Sequence, residues 1–144
     1  MFWLDANGCW HNSDGKFRHK KIIDYFHTSI QRDQKGYHLY QAHDKYVEKV
    51  YFPYDDRALF VFDVIANNDI MLVLNTKKRI RLKPRKLFTE NDNLYMHLGN
   101  EVIKFAEQGL MKIASFLEEE GESLFIRSKN RRYRIPIKEE KGEI

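Results

Sequence analysis

The chain has 144 residues, 42% hydrophobic and 14% aromatic, with only 7 glycines and 3 prolines, which excludes a collagenous, low-complexity or largely disordered polymer. A single cysteine, Cys9, excludes an intrachain disulfide and a cysteine-rich zinc site, and fits a reducing, cytoplasmic setting. The net charge of +4 is uneven: residues 1–72 carry 9 Lys/Arg against 10 Asp/Glu, and residues 73–144 carry 16 against 11.

Met1-Phe2-Trp3-Leu4-Asp5 has neither the basic region nor the apolar run of a signal peptide, and nowhere do about 18 apolar residues follow one another, so no membrane partner is expected. Asn7-Gly8 and Ser13-Asp14-Gly15 are turn signals around a short strand, Cys9-Trp10-His11, whose hairpin partner is Lys16-Phe17-Arg18. Ile22, Ile23, Phe26 and Ile30 recur at helical spacing and predict a helix over residues 20–33, stopped by Lys35-Gly36. The period then falls to two. Residues 37–40 and 46–52 predict a hairpin, closed by Pro53, which has no amide to give a ladder.

Residues 59–65, 70–74 and 79–82 read as three further strands joined by tight polar turns. After Pro84 and a polar loop around Asn91-Asp92-Asn93, residues 94–98 and 101–105 form another hairpin over Gly99-Asn100. Leu110, Ile113, Ala114 and Leu117 share one face of a second helix, residues 107–120, with Gly121 as its stop. Residues 124–126 and 132–137 make the last hairpin, and the charged tail after Lys138 is expected to fray.

Two basic stretches, residues 77–86 and 127–134, alternate cations with apolar side chains. Alternation is the period of a half-buried strand, so Ile80, Leu82, Tyr133, Ile135 and Ile137 are expected to face the core while the cations face water. A charged outer face, with edge cations that discourage aggregation, accounts for such a pattern. The sharper reading is an anion-attracting surface for nucleic acid, using Lys77, Lys78, Arg79, Arg81, Arg131, Arg132 and Arg134, with Tyr95, Phe125 and Tyr133 as stacking rings. The Lys/Arg-Gly-aromatic signature of an RNA-recognition sheet is absent.

Hairpin, helix, hairpin occurs twice at an offset of 86 to 87 residues: His11 falls on His97, Phe17 on Ile103, Ile23 on Leu110, Phe26 on Ile113, Ile30 on Leu117 and Leu39 on Phe125. The expected architecture is α+β: two similar repeats, each a helix packed on antiparallel strands, with extra strands in the first half. The first repeat spans residues 8–84 and the smaller second one residues 91–138, together one compact unit.

The order of several short motifs resembles a bacterial family catalogued as domain of unknown function 1285 (DUF1285). Gly8-Cys9-Trp10-His11 is similar to its opening Gly-x-Trp segment, and Arg32-Asp33 before Gly36-Tyr37 to the Arg-Asp that closes its first helix. Val47-Glu48-Lys49-Val50 matches its Val-Glu-Lys-Val, and Asp55-Asp56 stands where the family has Glu-Asp. Leu74-Asn75-Thr76, Leu82-x-Pro84 and Leu94-Tyr95 continue the order, so that the resemblance runs from Gly8 to Ile137. Two departures stand out: Arg57-Ala58 replaces the family's Ala-Pro, and Glu107-Gln108 replaces a basic residue at the second helix. The resemblance implies a two-repeat α+β fold without established enzymatic activity and a role in signalling or ligand sensing.

Chemistry-bearing clusters are few. His11 and His97 occupy equivalent repeat positions and, with a carboxylate, would make a metal site, but no His-Glu-x-x-His or comparable ligand motif supports one. Cys9 two residues from His11 would put a thiol beside a base. Asp55-Asp56 followed by Arg57 reads as a turn with a salt bridge rather than an acid/base pair, because adjacent residues of an extended chain point to opposite faces. No Walker sequence and no Gly-x-Gly-x-x-Gly is present, so no cofactor is expected. The leading expectation is a non-enzymatic module that binds a small molecule or a protein partner, with Trp10, Tyr37, Glu48, Lys49, Asp55, Asp56 and Asn75 as candidate positions. Nucleic-acid binding through the basic stretches is the alternative, and a metal-dependent enzyme the remote one. An exposed edge strand would allow a homodimer.

Overall fold

Among the residues that the computed structural model describes, 1–138, the chain forms fifteen strands and two α-helices. The predicted fraying beyond Lys138 lies outside the described residues. The chain divides into two units, one of Met1–Ala58 with Asn75–Lys77, the other of Leu59–Leu74 with the chain from Lys78 onward. The result is mostly β, with short helices and a mixed sheet, an α+β architecture. No described helix is long and apolar enough to cross a membrane.

The first unit begins with a three-stranded antiparallel sheet of β1 (Phe2–Leu4), β2 (Trp10–Asn12) and β3 (Gly15–Lys16). The Asp5 carboxylate organises the first turn: its Oδ1 accepts the amides of Asn7 at 2.8 Å and Cys9 at 2.9 Å, bringing Leu4 opposite Trp10. Helix α1 (Lys20–Thr28) follows, and β4 (Ile30–Asp33), β5 (Gly36–Ala42) and β6 (Val47–Tyr51) form a second antiparallel sheet in that order. The core between them is aromatic. The Trp10 ring lies 4.9 Å from Phe52 and 5.4 Å from Phe26, which in turn contacts Phe2 at 5.2 Å and Phe17 at 5.3 Å.

In the second unit β7 (Phe60–Ala66), β8 (Ile70–Leu74), β9 (Arg79–Arg81), β10 (Leu87–Glu90), β11 (Asn93–Leu98) and β12 (Glu101–Phe105) share one sheet, ordered β10-β11-β12-β7-β8-β9. All its pairings are antiparallel except β12 with β7, which run parallel through Lys104–Phe60 and Phe105–Val61. Helix α2 (Glu107–Ile113) packs on β7 so closely that a Cβ built on Gly109 would lie 2.3 Å from the Val61 carbonyl oxygen. A fourth sheet of β13 (Leu117–Glu120), β14 (Ser123–Ser128) and β15 (Arg131–Ile135) completes the unit. Beyond β15, Thr89 of β10 donates to Pro136 O at 2.9 Å and accepts from the Lys138 amide at 2.7 Å.

Several expectations are corrected. The first helix stops at Thr28 instead of residue 33, because the Thr28 and Ser29 hydroxyls donate to the Asp24 and Tyr25 carbonyls at 2.9 and 2.6 Å, and Ile30 pairs with Leu39 as a strand. The second helix ends at Ile113 through a 3-10 turn, Ala114–Phe116, and Leu117 pairs with Ile126. The strands of residues 59–82, expected beside the first half, join the sheet that contains β12. Ile137, expected inside, is 60% exposed, because the chain leaves the ladder at Pro136. Ile135 and Leu82 are buried, whereas Tyr133 and Ile80 are half-buried.

Candidate functional site

The hairpin of β14 and β15 turns through Lys129 and Asn130, both left-handed with φ of 52° and 63°, which sets Ser128 opposite Arg131. Strand alternation then places Arg131, Tyr133 and Ile135 on one face and Arg132 and Arg134 on the other. A 3-10 turn, Pro84–Lys86, brings in Arg85, whose guanidinium carbon lies 5.2 Å from the centre of the Tyr133 ring. These side chains line an open concavity of about 550 Å³ made of Arg85, Arg131, Arg132, Tyr133 and Arg134, with no carboxylate in its wall.

Neighbouring cations are mostly engaged. Arg132 is bonded to Glu120 and sits 3.6 Å over the Phe125 ring, and Arg127 forks onto Glu118 at 2.7 and 3.3 Å, which holds the Glu118 carboxyl below its ordinary pKa. Asp69 carries Lys129 at 2.7 Å and Arg81 at 3.5 Å, so members of both basic stretches meet on one carboxylate. The Lys129 bond, then the Arg81 charge, keeps Asp69 ionised below its ordinary range against the opposing effect of desolvation. Arg85, Arg131 and Arg134 have no ion pair among the described residues. Lys77 belongs to the first unit, whereas Lys78 and Arg79 lie at the start of the β9 arm and do not line the concavity.

Trp10 and Asn75 converge, but on a buried histidine. Trp10 Nε1 donates to His27 Nδ1 at 3.2 Å, Asn75 Nδ2 lies 3.2 Å from the same nitrogen, and Asn75 Nδ2 also donates to Ala58 O at 3.1 Å. All three side chains are at most 3% exposed. Burial holds the imidazole neutral, with its pKa lowered to about 4; the Asp24 charge opposes this and Lys77 adds to it.

The remaining candidates lie on or beside the second sheet. Lys49 Nζ and the Tyr51 hydroxyl donate to Asp33 Oδ2 at 3.0 and 2.5 Å. The Tyr51 bond and, after it, the Lys49 bond hold the Asp33 carboxyl well below the usual range, and Lys49 and Tyr51 are raised in return. Tyr37 meets Tyr54 edge-on at 5.6 Å beneath the Arg32 guanidinium, and Glu48 lies 3.6 Å from His43. Asp56 faces Arg57 at 3.8 Å, and the Asp55 amide donates to Leu4 O at 2.9 Å. Glu48, Lys49 and Asp55 are exposed and Asp56 half-buried.

His11 Nε2 is 2.6 Å from Asp5 Oδ2, with its ring stacked on Trp3; His97 stacks on Phe88 at 4.7 Å. Among the described residues no three of His, Cys, Asp and Glu gather as metal ligands would. Arg85, His27, Asp33 and Tyr51 were missed by sequence reasoning. Arg85 carried a signal in its place in the first basic stretch, and Asp33 in the Arg32-Asp33 motif.

No protein-family model matches the sequence, and no curated protein matches it. Solved structures do. A DUF1285 family protein from Silicibacter pomeroyi DSS-3 superposes with a TM-score of 0.62 at 12% identity, over 93% of this chain and 78% of its own. A DUF1285 family protein from Shewanella baltica OS155 gives 0.53 at 16% identity, over 74% of this chain and 84% of its own. At these identities the likeness is one of backbone arrangement, and in that arrangement the chain resembles the DUF1285 family, as the order of its motifs does.

Proposed function

We propose that the protein is a non-enzymatic binding module that takes an anionic ligand in the arginine concavity beside β15 and relays the bound state to a partner. The carrying observation is that Arg85, Arg131 and Arg134, without ion pairs among the described residues, line one open concavity with the half-buried Tyr133, whose ring the Arg85 guanidinium faces. A guanidinium is planar and permanently charged and forks onto phosphate or carboxylate oxygens, and an aromatic ring beside it accepts a flat ligand by stacking. In this reading the module works in the cytoplasm, Trp10 and Asn75 serve the core of the first unit, and Tyr37, Glu48, Lys49, Asp55 and Asp56 are where a protein partner would touch it. The recurrence of three strands, a helix and three strands at β1–β6 and β10–β15 supports descent from a duplicated unit.

Titration with ATP and with a labelled single-stranded oligonucleotide, at salt between about 50 and 200 mM, tests the reading. Affinity is expected to fall at least tenfold in the double variant Arg131→Ala, Arg134→Ala. Unchanged affinity in that variant, or no binding of either phosphate compound, would overturn it. A second reading, single-stranded nucleic acid as the natural ligand, is favoured by the shared hold of Arg81 and Lys129 on Asp69, which extends the basic surface beyond the concavity. It requires affinity to rise with oligonucleotide length and the salt slope to exceed that for ATP.

A further inference from the structure

A second cavity in the same unit has the opposite character. It encloses about 350 Å³ over a floor of Leu94, Leu110, Leu117 and Leu124, a volume within the range of small-molecule sites. The leucines come from β11, α2, β13 and β14, and Leu94 is fully buried while the other three are half-buried. Three carboxylates belong to the same lining: Asp92 on the turn between β10 and β11, Glu119 on β13, and Glu122 on the turn between β13 and β14. All three are exposed, so they stand towards solvent while the leucines form the interior. Glu119 is directly opposite Leu124 in the ladder, which puts a carboxylate and an aliphatic side chain next to each other on one face.

Cations close by are committed elsewhere: Lys112 of α2 lies 3.1 Å from Asp63, and Lys138 lies 3.6 Å from Glu90. Asp92, Glu119 and Glu122 have no ion pair among the described residues. Three carboxylates without ion pairs along an aliphatic floor attract a cation, while the floor itself offers nothing to a hydrated metal ion. The described residues accordingly provide no metal-ligand cluster there.

The geometry points to a linear aliphatic diamine or polyamine as the ligand of this cavity, its methylenes on the four leucines and its ammonium groups on Asp92, Glu119 and Glu122. Each methylene leaves water for an apolar wall, and each ammonium gives an unpaired carboxylate a charge-assisted hydrogen bond. This site is independent of the arginine concavity, which selects the opposite charge.

The test is an NMR titration of the full chain with 1,6-diaminohexane, with n-hexanol and magnesium chloride as comparisons. The expected result is saturable shifts at Leu94, Leu110 and Leu124, affinity at least tenfold above that of hexanol, and no displacement by magnesium at matched ionic strength. The double variant Glu119→Gln, Glu122→Gln is expected to lose at least tenfold in affinity with its circular dichroism unchanged, and Leu124→Ser alone to weaken binding with the carboxylates intact. Equal displacement by magnesium, hexanol binding as tightly as the diamine, or the absence of shifts at those leucines would overturn the proposal.

Discussion

The amide nitrogen of Asn75 lies 3.2 Å from Nδ1 of His27, a nitrogen that already accepts the indole N–H of Trp10 at the same distance. An acceptor facing two donors must carry a lone pair, so His27 is held as the neutral tautomer protonated at Nε2. Protonating Nδ1 would set three N–H groups against one another inside an aromatic core.

A pH dependence follows. The folded-state pKa of His27 is lowered from 6.5 to about 4, so between these values the unfolded chain binds a proton that the folded chain refuses. Stability from this group is therefore complete above pH 6.5 and is lost as pH falls towards 4, by about 3 kcal/mol at about 1.4 kcal/mol per unit. Urea unfolding at a series of pH values is expected to show this loss, and His27→Gln to flatten the profile between pH 6.5 and 4.5. An unaltered slope in the variant would contradict the assignment.

Gly109→Ala sets two effects against each other. Alanine improves helix propensity by about 1 kcal/mol, but the added Cβ meets the Val61 backbone oxygen at 2.3 Å, and backbone cannot rotate away. The clash wins, with a net loss expected of at least about 1 kcal/mol in guanidinium unfolding. Gly121→Ala is the control: nothing lies within 4 Å of its added Cβ, and only the φ of 61° is unfavourable, costing about 1 kcal/mol.

Arg132 and Arg134 share one face of β15 and differ in what holds them. Arg132→Ala removes the bond to Glu120 and the stacking on Phe125, and is expected to lower stability by about 0.5–1 kcal/mol as well as weaken anion binding. Arg134→Ala leaves thermal stability within about 0.5 kcal/mol while weakening anion binding. Thermal unfolding and ATP titration on the two variants separate the effects.

Asp33 is ionised far below its ordinary 3.8 chiefly through the Tyr51 hydroxyl. Its folded pKa being depressed, its contribution to stability is present above pH 3.8 and is lost as pH falls further. Tyr51→Phe is expected to raise the Asp33 pKa more than Lys49→Ala does, read by carbon NMR of the carboxyl group.

Legibility in the sequence followed the range of the interactions concerned. β8 and β12 appear over the residues expected of them, because each is a short run preceded by a polar turn, Asn67-Asn68-Asp69 before β8 and Gly99-Asn100 before β12. β1 was invisible, since Phe2-Trp3-Leu4 is only three residues long with no turn signal before it, and becomes a strand only by pairing with β2. The helix ends were misplaced for a related reason: Ile30 and Leu117 continue the helical spacing but are taken by strand partners, Leu39 and Ile126. The arginines of β15 were legible as a charged run, whereas the meeting of Arg85 with Tyr133 depends on where a turn after Pro84 delivers one side chain. Trp10 and Asn75 were singled out by motif, and their common partner His27 had no local signature at all.

The parallel junction of β12 with β7 also sets an order of events during synthesis. The antiparallel neighbours in that sheet close through turns and form in roughly microseconds, but Lys104 and Phe60 meet only after the whole intervening chain exists. On the ribosome, β7 with β8 and β9 must therefore wait with the buried residues Phe60 and Val61 on an unpaired edge. That nascent intermediate, rather than any finished surface, is where a chaperone would earliest be needed and where aggregation would begin.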